Sequence, residues 1–250
     1  VNAESIIETR SVCKNFGGFK ALTDVSVKIR PGVLTSIIGP NGAGKSTYFN
    51  LLSGAFSPSS GQIFFMGRDI TELKPHEFAR VGIAKSFQIT NLFPHFTALE
   101  NVRIALQAHV SRYGLWRPRC DLEGLSERAL DLLGVVGLRD RAARPARELA
   151  HGQQRALEIA VALAADPKIL LMDEPTAGMS PEETKVMMDL IRKLVEQRTV
   201  VLVEHKMKMV MGISERLIVL HHGELIAEGT PDDIRANDLV KRVYLGHGNH

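Results

Sequence analysis

The sequence predicts an α/β fold: a mainly parallel sheet with helices on both faces, an N-terminal antiparallel β ribbon, and an inserted helical subdomain. Three observations predict it. Strand-like apolar runs ("VLTSII", "KILLMD", "TVVLVEH", "RLIVLHHG") alternate with helical segments, and that order requires the crossovers of a parallel sheet. The first thirty residues instead alternate apolar and polar, as in "SIIETRSV" and "LTDVSVKI", the pattern of half-buried antiparallel strands. From about Asn91 to Ala165 helical periodicity takes over and strand signals become few.

Taken in order, Pro31-Gly32 turns the ribbon into "VLTSII", a buried-strand run that leads into the glycine-rich "GPNGAGKST". The helix "STYFNLLS" follows and stops at Gly54, and "QIFFMG" is a further short strand after the turn-rich "SPSSG". Inside the helical region "SRYGLWRPRCD" breaks the pattern and carries three arginines and the only tryptophan. An irregular surface connection accounts for it better than a partner contact. The clearest element is a helix from Pro181 to about Gln197, with Val186, Met187, Leu190, Ile191, Leu194 and Val195 on one face. Ser180 caps it, Pro181 takes the first helical position, and Glu183 completes a capping box. The expected organisation is one domain, with 1–88 and 166–250 forming the core and 89–165 the inserted helical subdomain.

Bulk properties narrow the function. A formal charge of +3 gives no strong electrostatic case for nucleic acid. Cys13 and Cys120 are far apart and lack metal-ligand spacing, which fits a reduced, cytosolic setting. Glu4, Glu8 and Arg10 interrupt the N-terminus before a signal-peptide apolar region forms. The longest apolar candidate, "EIAVALAADPKILLM", is broken by Asp166, Pro167 and Lys168, so no membrane span is expected. Service at a membrane would run through partners.

"GPNGAGKS", from Gly39 to Ser46, fits the phosphate-loop pattern. Gly39, Gly42 and Gly44 let the backbone curl so that successive N–H groups point at phosphate oxygens. The helix beginning near Lys45 adds its positive end. Lys45 would reach the β- and γ-phosphates and the Ser46 hydroxyl would ligate Mg²⁺; Asn41, Ala43 and Thr47 complete the expected nucleotide-contacting set. The competing reading is a glycine-rich turn with a surface lysine, which the strand before the loop and the helix after it disfavour. "ILLMDE" then ends a buried strand with two acids, placed beside the loop at the C-terminal edge of a parallel sheet. Asp173 would hold Mg²⁺ through its water shell, and Glu174 would act on the attacking water as general base or by positioning it.

Five motifs together, "GPNGAGKS", Gln88 in "SFQIT", "LAHGQQR", "ILLMDEPTAG" and His205 in "VEHKM", resemble the ATP-binding-cassette (ABC) ATPases in order and spacing. "FGGFKAL", "GQQRALEIA", "AGMSPEE", "EHKMKMVMGISERLIVL", "GTPDDIR" and "YLG" are similar to one branch, the ATPase subunits of bacterial branched-chain amino-acid importers. The resemblance implies a dimer with two ATP molecules at its interface, each held by the phosphate loop of one subunit and the signature stretch of the other. By position, Phe16 would stack on adenine, with Phe19 as competitor and a buried strand residue as the alternative. Gln88 would approach Mg²⁺ and the attacking water and couple them to the helical insertion. His205 would contact the γ-phosphate. Leu92, Phe93 and Phe96 in "NLFPHFTALENV" are either core or a groove for a coupling helix of a membrane subunit.

Two departures stand out. The usual Ser-Gly-Gly-Gln of the signature is Ala150-His151-Gly152-Gln153 here, and Ser180 stands where the family commonly has Asp. A helix starting near Gly152 would have a poor cap in Ala150 and no acid in its first turn, leaving orphan N–H groups for an incoming anion. Ala150, Gly152 and Gln153 are therefore the expected contacts to the partner's phosphate, with His151 a filler. The implied function is the ATP-hydrolysing subunit of an importer, peripheral on the cytoplasmic face of the membrane. Its expected partners are a second ATPase subunit (identical or sister), multi-span permease subunits and, indirectly, a solute-binding protein, with no nucleic acid. A soluble cassette ATPase acting on ribosomes or nucleic acid and a separate-chain exporter ATPase are the alternatives, and the cargo is not encoded in this chain.

Overall fold

The computed structural model describes residues 5–86, 92–110 and 120–245. Gln88 and most of the tryptophan-bearing stretch (111–119) lie outside the described residues.

The ribbon forms as the alternation predicts. Strands β1 (Ile7–Phe16) and β2 (Phe19–Ile29) pair antiparallel, Ile7 opposite Ile29 and Phe16 opposite Phe19. Strand β3 (Leu34–Ile38) then enters the main sheet and leads through the glycine-rich loop into helix α1 (Lys45–Leu52). The chain returns to the ribbon with β4 (Ser60–Phe65) and β5 (Arg68–Asp69), making a four-stranded sheet of order β2-β1-β4-β5. The "QIFFMG" segment thus widens the ribbon.

Helix α2 (Pro75–Val81) and strand β6 (Ile83–Ser86) precede the helical region, which contains α3 (Ala98–Val110), α4 (Cys120–Val135) and α5 (His151–Leu163). Cys120 and Asp121, the last residues of the stretch that the sequence reads as irregular, belong to α4. Beyond it run β7 (Ile169–Asp173), α6 (Pro181–Val195), β8 (Thr199–Val203), α7 (Met207–Ile213), β9 (Arg216–His221), β10 (Glu224–Gly229), α8 (Pro231–Ala236) and α9 (Asp238–Leu245). The main sheet has the order β10-β9-β3-β8-β7-β6, parallel throughout except for the β10–β9 edge pair. Every residue of β3, β7 and β8 is buried, as expected for parallel strands covered on both faces.

Successive side chains on these strands enter different cores. Leu170, Met172, Val200 and Leu202 pack with Val102, Leu106, Leu133, Leu157, Ile191 and Leu194, so α3 to α6 share one apolar cluster with that face of the sheet. Leu171, Val201 and Val203 point the other way, toward Phe49, Leu51 and Leu52 of α1 and the ribbon's Val12, Leu22 and Ile63. Tyr48 of α1 is fully buried, and its hydroxyl pairs with Thr9 Oγ1 at 3.0 Å, tying α1 to β1.

Helix α6 carries the predicted cap, Ser180 Oγ accepting the Glu183 N–H at 3.2 Å. Its buried face is narrower than expected. Met187, Leu190, Ile191 and Leu194 are inside, whereas Val186, in the helix's first turns, is 70% exposed.

Candidate functional site

The phosphate loop sits where a central strand ends. Gly39, Gly42 and Gly44 all have positive φ, with Gly44 at +95° just before α1. Steric fit explains two of these glycines: a Cβ on Gly39 would lie 2.3 Å from the Leu220 carbonyl oxygen, and one on Gly44 would lie 2.9 Å from that of Ala21. The loop is therefore wedged between β9 and β2. No side chain caps α1 and no acid lies in its first turn, so its N-terminal end is electrostatically suited to an anion.

Lys45 folds back over the loop, its Nζ donating to the carbonyls of Gly39 (2.8 Å) and Pro40 (2.9 Å). Burial lowers its pKa, and the nearby Glu174 and Asp173 carboxylates oppose that shift. Asn41 and Ser46 are exposed and Thr47 half-buried. Ala43 is different: its methyl is in the core and its N–H is bonded to the Pro40 carbonyl at 3.2 Å, so it shapes the loop from within.

The two acids meet at the end of β7. Asp173 is buried, and burial raises its pKa; Lys85 on the neighbouring β6 works against that rise, while Glu174 and Glu204 add to it. Lys85 Nζ is anchored on Asn50 Oδ1 at 2.8 Å. Glu174 leaves the strand in the left-handed region, φ 46°, an uncommon conformation for a side-chain-bearing residue. That turn brings its carboxylate, which would otherwise face away from Asp173, to 3.5 Å from His205 Nδ1. Sequence alone assembles the loop and the acids; the structure adds His205 to Glu174 and supplies Lys85, Glu204 and Thr176, which sequence reading missed.

Glu204 is the least visible of these from sequence. It is 1% exposed, accepts from Thr176 N–H (3.2 Å) and Thr176 Oγ1 (2.7 Å), and takes the His205 N–H at 3.2 Å. An acid beside a histidine at a strand end has the same local sequence signature whether it points outward or inward.

Phe16 and Phe19 stand at the tip of the β1–β2 hairpin, 44% and 66% exposed, so neither is the buried strand residue of the alternative reading. Phe16 meets Phe56 edge-on at 5.4 Å, and Lys14 Nζ lies 5.1 Å from the Phe16 ring centre. Phe93 and Phe96, 51% and 44% exposed, stack on each other at 5.4 Å, while Leu92 packs against the core. Leu92 thus follows the core reading, which Phe93 and Phe96 do not.

The signature helix corrects an expectation. α5 does start at His151 with Ala150 as an ineffective cap. Its start is not left open, however. Gly152 N–H donates to Glu183 Oε1 at 3.1 Å, while Glu183 Oε2 takes the Ser180 N–H at 3.0 Å. One carboxylate therefore serves two helix starts, and the bonds from Ser180 and then Gly152 lower its pKa. Gln153 turns its Oε1 back to the Ala150 N–H at 3.1 Å. His151 Nε2 lies 3.1 Å from the Ala177 carbonyl, so it links α5 to the segment after Glu174 and is more than a filler.

A family model described as "ABC transporter" matches residues 22–177, and one described as "Branched-chain amino acid ATP-binding cassette transporter" matches residues 224–250. The high-affinity branched-chain amino acid transport ATP-binding protein LivG of Salmonella typhimurium is 40% identical, covering 98% of this chain and 99% of that protein. The structure is similar to the ADP conformation of MJ1267, an ATP-binding cassette of an ABC transporter. Here the TM-score is 0.86 at 33% identity, over 97% of this chain and 99% of that one. It is also similar to MJ0796 in a dimeric post-hydrolysis state bound to ADP and Pi, with TM-score 0.76 and 32% identity over 90% and 98% of the two chains. Among the described residues no helix is long and apolar enough to cross a membrane. The phosphate loop, the acids at the end of β7 and the matches over nearly the whole length lead to one conclusion: the chain belongs to the ABC transporter family, as an ATPase of the branched-chain amino-acid branch.

Proposed function

We propose that this chain energises an importer of branched-chain or other hydrophobic amino acids, hydrolysing ATP at a dimer interface whose closure and opening drive transport. The observation that carries the hydrolytic assignment is the convergence of Glu174, turned at φ 46° to 3.5 Å from His205, with Asp173 and Lys45 beside it. The cargo class rests on LivG and on the match of the C-terminal family model. The dimer rests on MJ0796.

Phe16 stacks on adenine at the hairpin tip. The α1 end, Lys45 and the loop N–H groups hold the phosphates. Glu174 orients and deprotonates the attacking water, which adds to the γ-phosphorus as the bond to the bridging oxygen breaks, leaving ADP and phosphate. His205 donates to the γ-phosphate, and Ala150, Gly152 and Gln153 of a second subunit close the site, the Gly152 N–H exchanging its bond to Glu183 and the Ala150 N–H its bond to Gln153 for the phosphate. The exposed Ser46 hydroxyl and the Asp173 carboxylate are hard oxygen donors suited to Mg²⁺, with Gln88 as the third proposed contact. Bound there, Mg²⁺ supplies charge neutralisation of the phosphates. Residues 89–165 form the helical subdomain that meets the permease subunits, with the stacked Phe93 and Phe96 as contact surface. The assembly lies on the cytoplasmic face of the membrane and engages the solute-binding protein only through the permeases.

Glu174→Gln is the decisive variant. ATP binding should persist, turnover should fall nearly to zero, and size-exclusion chromatography with ATP should show a trapped dimer. Turnover at the wild-type rate would remove Glu174 from the mechanism.

A further inference from the structure

We propose that Glu204 is a positioning residue for hydrolysis: a buried carboxylate that holds the turn carrying Glu174 and the backbone of His205 in one fixed register. The inference rests on reading Glu174 and His205 as parts of the hydrolytic site.

The two segments leave the sheet side by side. Asp173 is paired with Val203 across the parallel β7–β8 ladder, so Glu174 and Glu204 are the first residues beyond neighbouring strands. Glu174 N–H donates to the Val203 carbonyl at 2.9 Å, which carries the ladder one step past the strand. Glu204 then continues the connection with its side chain. One oxygen receives both donors of Thr176, N–H at 3.2 Å and Oγ1 at 2.7 Å, and the other receives the His205 N–H at 3.2 Å. On the far side of the same residue, the Thr176 carbonyl accepts from Lys206 Nζ at 2.9 Å. Residues 174–176 and 203–206 are therefore joined through Glu174–Val203, Thr176–Glu204 and Thr176–Lys206.

A carboxylate at 1% exposure is retained in a fold only when donors satisfy it. Among the described residues, its donors belong to the catalytic turn or to His205 itself. Oriented donors and acceptors of this kind fix a reacting pair to within a fraction of an ångström, and misplacement by about 1 Å costs on the order of a hundredfold in rate.

The test exploits a chemical asymmetry. A carboxylate is acceptor-only on both oxygens, whereas a carboxamide of the same shape accepts on one side and donates on the other. Glu204→Gln keeps either the Thr176 bonds or the His205 bond and confronts the other donor with an N–H. Steady-state ATP turnover and the binding of a fluorescent ATP analogue are measured on the full chain for Glu204→Gln, His205→Ala and the double variant. Glu204→Gln should lose roughly ten- to a hundredfold in kcat, with affinity for the analogue changed less than about twofold. The double variant should lose less than the product of the two single losses, since residues acting as one unit are not additive. Thr176→Val, which removes the hydroxyl donor, should lose turnover, while Thr176→Ser should retain most of it; this pair decides the matter if Glu204→Gln does not fold. Wild-type kcat in Glu204→Gln, or losses that multiply in the double variant, would overturn the proposal. Loss in His205→Ala without loss in Glu204→Gln rejects Glu204 alone. Wild-type turnover in His205→Ala instead rejects the reading of the site on which it rests.

Discussion

Individual residues in this chain are held by partners far away in sequence, and that distance sets which substitutions matter. Tyr48 follows the phosphate loop directly, yet its hydroxyl pairs with Thr9 on the opposite sheet while burial holds its phenol protonated. Tyr48→Phe should destabilise the fold by about 0.5–1.5 kcal/mol in urea titration, the net worth of one hydrogen bond, with the α1 backbone unchanged. Phe93 behaves oppositely. At 51% exposure it contributes little to the core, so Phe93→Ala should change stability by less than about 1 kcal/mol and leave isolated ATPase intact. Assembly with permease subunits, measured by co-purification, should weaken; loss of solubility and ATPase together would return Phe93 to the core reading. The phosphate loop and the paired acids were legible because their chemistry lies within a few adjacent residues. Glu204 and Lys85 were not, because their meaning depends on which strand lies next to theirs.

At the scale of elements, α5 and α6 share a cap. Glu183 was legible as the closing residue of its own capping box, and that bond is present; its second bond, to Gly152, joins helices that a local pattern cannot relate. The linkage has a pH signature. Because the folded-state pKa of Glu183 is lowered, its stabilising contribution is complete above the ordinary glutamate value and is lost as pH falls through the lowered one. Thermal melts of the wild type and of Glu183→Gln should therefore differ at neutral pH and converge in acid. A constant difference across the range would show that the charge of Glu183 is irrelevant to the clamp. The strands β3, β7, β8 and β9 and helix α6 were readable from apolar runs and caps. β6 was not, since a four-residue strand with Lys85 inside it offers no period to detect.

The molecule as a whole is organised by the sheet between its two main cores. The class of fold was legible because alternation of strands with helices leaves few topologies. The widening of the ribbon by β4 and the sharing of one core between α3–α6 and the sheet were not, since both are pairings across long sequence separations. Leu171 lies in the core that joins the ribbon to the sheet, and Leu171→Ala should cost roughly 2–5 kcal/mol by chemical denaturation.

The way β7 is buried reaches further than stability. Leu170 and Met172 are committed to one core and Leu171 to the other, so a slip of one residue would put every side chain in the wrong environment. The address of Asp173 and Glu174 is consequently written in apolar residues that never meet nucleotide. Repacking Leu170, Leu171 or Met172 with side chains of altered volume is then a means of detuning hydrolysis from behind, with every polar group of the site left in place.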